Sequence, residues 1–246
     1  RRKSMARTLL IDGDIVVYQY ASTVEQEVDW GDDVWSMWAD AKEGKQLILQ
    51  YLDILMEQTL ADDLLFCFSD KDNFRKTIEP TYKSNRKGKR KPVIYLPLKK
   101  WIEENYRTEQ WKGLEADDVM GILATSDQLI EGEKVIVSED KDMMTIPSLL
   151  WRQGEMLDIS EEEADYNHLL QTLKGDTTDG YIGLRGVGEV KAKAILKVPV
   201  WKSVEDAFIK AGYTQEDALV QARLARILRA EDYNFEFDQP REWSPK

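Results

Sequence analysis

The chain has 246 residues, 42% of them hydrophobic and 33% charged, with a formal net charge of −12. That length and apolar content suit one α/β domain with a small appended module, and no run of 18 or more apolar residues suggests a membrane span. A single cysteine, Cys67, excludes an internal disulfide and fits a reducing cytoplasm, and a single histidine, His168, leaves no His/Cys set for zinc.

Nothing at the N-terminus resembles a signal peptide, and Met5 is a candidate start. Residues 8–17 (TLLIDGDIVV) read as a buried first strand that ends at Asp12-Gly13 and turns toward a helix. An acid at that strand end is a common ligand position in open α/β sheets, and a helix cap is an equally good use of it. Asp14 shares the turn and reads as a cap or solvent residue. Residues 25–44 are acidic and rich in tryptophan (Trp30, Trp35, Trp38). From 34 to 59 apolar residues recur at helical spacing (Trp38, Leu47, Ile48, Tyr51, Leu52, Leu55, Met56), which predicts a surface helix packed on the sheet. Residues 64–69 (LLFCFS) predict a second buried strand with Cys67 as core filler, and Asp70 ends it.

The stretch 71–100 holds eleven Lys or Arg and only two acids, punctuated by Pro80, Gly88 and Pro92 and interleaved with Phe74 and Tyr82. A local basic stripe governs phosphate contact more than the global charge does. Because it leaves from an acidic strand end, it can overhang the same cleft. Residues 96–106 predict a helix with Pro97 near its first turn, and 106–111 a short strand.

The centre of the chain carries two acidic groups. GLEADD at 113–118 opens an apolar helical pattern (Leu114, Val119, Met120, Ile122, Leu123), and SEDKD at 138–142 follows Val135, Ile136 and Val137, a β-branched buried strand. Glu115, Asp117 and Asp118 would thus face Asp140 and Asp142 across a cleft, where anions repel unless a cation lies between them. Hard oxygen donors without Cys or His point to Mg2+ or Mn2+.

Further on, 146–152 predicts a strand and 161–173 a helix that carries His168 as a structural residue. Asp176 and Asp179 form a fourth acidic group. Gly183, Gly186 and Gly188 then run into a helix at 189–196 that bears Lys191 and Lys193. This arrangement offers backbone amides to a phosphate, or forms a plain helix-turn-helix corner. Helices follow at 201–211 and 215–230, the second with a basic face of Arg223, Arg226 and Arg229; the tail from 231 has no clear period.

Taken in order, LIDGD (10–14), FSD (68–70), Arg75 followed by YKSNRK (82–87), LEADD (114–118), SEDKD (138–142) and GDTTDGYIGLRGVG (175–188) resemble the 5′→3′ exonuclease and flap endonuclease superfamily, and most of all the small bacteriophage members. The resemblance implies a PIN-like α/β fold with a central, mostly parallel sheet flanked by helices and a helical arch. It divides the chain into a catalytic domain at 5–173, with the basic arch at 71–100, and a helix-three-turn-helix region at 174–235. It implies two divalent ions, Mg2+ with Mn2+ as a substitute. Asp12, Asp70, Glu115 and Asp117 would hold the first, with Asp118 nearby, and Asp140, Asp142, Asp176 and Asp179 would serve the second. Lys83 and Arg86 would act on the scissile phosphate. Arg75, Tyr82, Gly186, Gly188 and Lys191 would contact substrate, with K+ at the glycine loop, where IGLRG replaces the IPG of many relatives. The substrate would be DNA with a duplex 5′ end, a 5′ flap or an RNA–DNA hybrid. The expected setting is a monomer in a host cytoplasm working beside replication proteins. Two rival readings are a PIN-type metal-dependent endoribonuclease and a non-catalytic DNA clamp on the same fold.

Overall fold

The computed structural model describes residues 6–86 and 88–245, with the Arg86 side chain outside that description. In chain order the elements are β1 (Arg7–Asp12), α1 (Gly13–Thr23), β2 (Gln26–Asp29), β3 (Trp35–Trp38), α2 (Ala41–Thr59), β4 (Asp63–Cys67), α3 (Arg75–Ile78), α4 (Tyr95–Asn105) and β5 (Thr108–Glu109). They continue with α5 (Ala116–Thr125), β6 (Glu133–Val137), β7 (Leu149–Arg152), β8 (Glu155–Asp158), α6 (Glu161–Lys174), α7 (Glu189–Ile195), α8 (Trp201–Lys210), α9 (Gln215–Ala225), β9 (Tyr233–Asn234) and β10 (Gln239–Pro240).

The main sheet runs β5-β4-β1-β6-β7-β8, parallel except for the last pair. Leu9, Leu10 and Ile11 of β1 are fully buried because alternate side chains enter separate cores on the two faces. Leu10 joins Leu65, Ile136 and the apolar face of α5, while Leu9 and Ile11 join Phe66, Val135 and residues of α1, α2 and α4. A third core, built from Leu173, Leu184, Leu196, Val204 and Phe208, ties α6 to the helices after it. Among the described residues no helix is long and apolar enough to cross a membrane.

Four expectations need correction. The helix expected from 34 begins only at Ala41; residues 26–38 form the β2–β3 hairpin. Polarity alternates through EVD and WSM, and Gly31, Asp32 and Asp33 turn the chain with positive φ. The stretch 71–100 is helical only at its ends, in α3 and the start of α4; among the described residues between them the one helical turn is the 3-10 turn Ser84–Arg86, in keeping with Pro80, Gly88 and Pro92. The last helix stops at Ala225, so Arg226 and Arg229 form no basic face. Both are buried, Arg226 on Asp232 and Arg229 on Asp165 and the Thr145 carbonyl. Finally, the tail from 231 is not patternless, since β9 and β10 pair.

Candidate active site

A parallel sheet brings its strand ends to one edge, and here β1, β4 and β6 deliver their acids there. A cavity of about 180 Å³ opens at that edge, lined by Asp12, Asp14, Glu115, Asp117, Asp140, Asp142 and Asp179, with Lys83, Tyr82 and Tyr181 in its wall. Six of these seven acids are ones the sequence singled out.

The carboxylates carry the signature of uncompensated charge. Burial, reinforced by Asp14 and Asp140, pushes Asp12 up to about 7. Burial, then Asp12 and Glu115, raises Asp117 well above the usual carboxylate range. Asp142 is pushed up to about 6 by burial and by Asp140. Glu115 goes the other way: burial opposes its ionisation, but Arg75 and Lys83 hold it down to about 2. Asp12 serves both of its readings at once, since it lines the cavity while its Oδ1 accepts the Ile15 amide (3.1 Å) and caps α1.

Among the described residues Lys83 is the one lysine in this wall. Its ammonium pairs with Glu115 and stands 3.5 Å from Asp179, and its amide donates to the Asp179 carbonyl (2.8 Å). That bond holds Lys83 at φ +54°, a left-handed conformation costing a non-glycine residue on the order of 1 kcal/mol. Among the described residues no three acids are gathered into a ready-made metal cage. Like charges spread the set, and Lys83 draws Glu115 and Asp179 toward itself. The donors nonetheless fit hard divalent ions: they are all oxygens, crowded, and relieved of repulsion by positive charge.

Three sequence-singled acids stand outside the cavity lining. Asp70 accepts the Gly113 amide (2.7 Å), a bond that lowers its pKa, and it faces a neighbouring groove. The residue turned inward is Ser69, one position earlier: its Oγ accepts the Ala116 amide and its own amide donates to Asp14. Asp118 is fully buried and saturated, accepting from Arg75 (2.7 and 2.8 Å) and from the amides of Glu115 and Leu228. Asp176 accepts the Thr178 and Asp179 amides and so shapes the turn that presents Asp179.

The contacts expected to meet substrate divide likewise. Arg75 is buried in the cavity wall and spends its donors on Asp118, Glu115 and the Leu224 and Arg226 carbonyls, so it braces the site. Tyr82 is buried too, donating to Glu115 (3.1 Å) and stacking on Tyr181. Gly183 is enforced by packing, since a Cβ there would meet the Gly175 nitrogen at 2.4 Å. Gly186 and Gly188 are exposed, and the Lys191 ammonium donates to the Gly186 carbonyl (3.0 Å). His168 is structural, as expected: its Nε2 meets the Ala222 carbonyl, and burial beside Arg226 pushes it down to about 3.

Asp14, which the sequence left as a cap or solvent residue, belongs to the site. It accepts the Ser69 amide (2.8 Å) and the Tyr95 hydroxyl (3.1 Å). With Ile15 and Ser69 it forms the wall shared by the acidic cavity and a groove of about 780 Å³, whose other side carries Lys71, Lys89, Arg90, Lys91 and Lys99. Its two partners come from distant parts of the chain, and no local pattern announces them.

Residues 7–171 match the family described as 5′-3′ exonuclease, N-terminal resolvase-like domain. The exodeoxyribonuclease of Enterobacteria phage T3 is 30% identical, covering 97% of this chain and 93% of that protein. The exonuclease of Escherichia phage T7 is 31% identical, covering 96% and 93%. Among solved structures, the T5 D15 protein co-crystallised with metal ions superposes with a TM-score of 0.60 at 15% identity, over 89% of this chain and 88% of that one. The catalytic core of Rad2 in complex with DNA substrate gives 0.52 at 13%, over 85% and 66%. At such identities these structures speak for the fold, and the sequence match speaks for descent. The chain belongs to the 5′→3′ exonuclease family.

Proposed function

We propose that the chain hydrolyses DNA phosphodiesters from 5′ ends, as an exonuclease that also cuts 5′ flaps, with Mg2+ as its working ion and Mn2+ as a substitute. The observation that carries this reading is the shared wall at Asp14 and Ser69, which joins a crowded carboxylate cavity to a lysine-lined groove. A polyanion tracks along cations, and its phosphodiester is cut where carboxylates can hold divalent ions.

Asp12, Glu115, Asp117, Asp140, Asp142 and Asp179 would hold the ions. When bound, the ions supply charge relief at the phosphoryl group and activate the attacking water. Lys83, which pairs with Glu115 and stands beside Asp179, would turn its ammonium to the charge that develops on the phosphate. Arg75 and Tyr82 keep Glu115 oriented while Lys83 moves. Water adds at phosphorus, the P–O3′ bond breaks, and the products are a 3′-hydroxyl and a 5′-phosphate.

The region 174–235 is read as the duplex-gripping unit, with K+ at the loop 183–188. Monomeric action, removal of RNA from RNA–DNA hybrids and work beside replication proteins in a host cytoplasm complete the proposal. The decisive assay follows 5′-labelled duplex and 5′-flap DNA with and without Mg2+. Short 5′-phosphorylated products that need the ion support the reading; DNA binding without cleavage under every ion tried leaves the clamp. Lys83→Ala should slow cleavage about 10²–10³-fold at unchanged KM. A change confined to KM would make Lys83 a ground-state contact.

A further inference from the structure

The β2–β3 hairpin stands outside the three main cores. Among the described residues its strands pair only with each other, and only Val28 and Met37 are even half-buried. Yet it shows water three indoles and a valine: Trp30 is 69% exposed, Val34 56%, Trp35 54% and Trp38 54%. Trp30 donates its Nε1–H to Ser36 (2.8 Å) across the hairpin, and Trp35 and Trp38 stand on opposite faces of β3, so apolar surface flanks that strand on both sides; exposed indoles of this kind mark an interaction surface.

The charge around the patch selects the partner. Residues 25–40 contain Glu25, Glu27, Asp29, Asp32, Asp33 and Asp40 and no lysine or arginine. Aromatic rings can stack on bases, but nucleic-acid binding draws on cations, and a rim of carboxylates opposes it. The two edges of the hairpin also differ. The β2 edge carries Glu27 and Asp29, the usual protection against added strands, whereas β3 reads Trp35-Ser36-Met37-Trp38 without a charge. Glu25, at the foot of β2, bonds Arg90 (2.5 and 3.0 Å) and the Val93 amide (2.6 Å), which fixes the hairpin beside the basic groove.

We infer that the β2–β3 hairpin is a protein-docking element whose occupant is an apolar, lysine- or arginine-rich extended segment of another protein, laid along β3 with its cations on the acidic rim. The occupant contributes main-chain hydrogen bonds and covers the indoles, and its charge matches what the hairpin presents. This holds whether or not the groove carries DNA, so it does not depend on the nuclease reading.

A dye-labelled peptide of alternating lysine and leucine serves as the probe, with its glutamate–leucine counterpart and oligothymidine as comparisons, all read by anisotropy on the full chain with Mg2+ present. The cationic peptide should bind and slow hydrogen exchange at 26–38. Combined Trp30→Ser, Trp35→Ser and Trp38→Ser should weaken it about tenfold or more. Glu27→Gln with Asp29→Asn, Asp32→Asn and Asp33→Asn should weaken it by a similar factor. Exchange in β1 and cleavage of a short duplex should stay unchanged in both variants, which separates lost docking from lost folding. Equal peptide binding by all three proteins overturns the inference. So does oligothymidine protection of 26–38, which would make the hairpin a DNA platform. A wild-type dimer that the tryptophan variant converts to monomer, by sedimentation, would overturn it in favour of a second copy.

Discussion

Asp117 and Asp118 are adjacent in the first turn of α5, yet they live in opposite electrostatic worlds. Consecutive helical residues point about 100° apart. Asp117 therefore enters the cavity, where burial and its acidic neighbours push its pKa well up, while Asp118 turns inward onto Arg75 and two backbone amides. One carboxylate is crowded by more negative charge than Lys83 offsets; the other is matched by Arg75 and two amides. Crowding without compensation marks a group meant for something that arrives later, and full compensation marks a group that holds the fold.

The sharpest break between the two is made by removing one charge at a time. Asp117→Asn should abolish cleavage, by about 10³-fold or more if ion-assisted charge relief is worth several kcal/mol, and leave unfolding in urea unchanged or slightly harder. Asp118→Asn should do the reverse in kind. It strips the Arg75 guanidinium of its buried partner and should cost about 3–5 kcal/mol of stability, read as a lower urea midpoint. Activity should persist in whatever fraction stays folded. If Asp118→Asn were silent in urea and Asp117→Asn were destabilising, the two roles would have to be exchanged.

A pH series with and without Mg2+ tests the same contrast more gently. Asp12 and Asp142 keep protons in the fold up to about 7 and about 6, whereas the unfolded chain releases them near 3.8. The fold therefore binds more protons across that window, and stability of the ion-free protein should fall as pH rises from about 4 to about 7. Glu115, held to about 2, acts oppositely: its contribution is present above 4.5 and fades as pH drops toward 2. Mg2+ should thus raise Tm by about 5 °C near neutral pH, corresponding to ~2 kcal/mol for a chain this size, and by little at pH 5. A shift equal at both values would place the ion away from these carboxylates.

How far the sequence carried this contrast can be judged residue by residue. The strand ends were legible, because β-branched and leucine-rich runs closing on an acid have no other economical reading, and the order of acids located Asp12, Glu115, Asp117, Asp140, Asp142 and Asp179. What failed was direction. The FSD motif offered Asp70, but the chain alternates after β4 and turns Ser69 inward. Arg75 was expected to contact substrate and Arg226 and Arg229 to form a basic helix face, yet Arg75 faces Asp118, Arg226 faces Asp232 just past the end of its helix, and Arg229 faces the Thr145 carbonyl from a distant segment. Asp14 was underrated for the same reason, since its partners Ser69 and Tyr95 come from β4's end and α4. A pattern in one segment shows which residues are polar; only packing between segments shows what they meet.

The smallest effect falls on Tyr82, which sits between the two worlds. Its ring stacks on Tyr181 and its hydroxyl donates to Glu115, the carboxylate that Arg75 and Lys83 hold down to about 2. Tyr82→Phe keeps the ring and removes a single donor, a loss of about 0.5–1.5 kcal/mol. Because the hydroxyl is buried behind Glu115, the loss should be felt through that carboxylate's orientation. Cleavage should therefore slow by up to about tenfold in kcat with KM unchanged, and adding the change to Asp117→Asn should cost nothing more. If KM rose and kcat held, Tyr82 would be touching DNA directly, and its burial in the ion-free protein would have to give way when substrate binds.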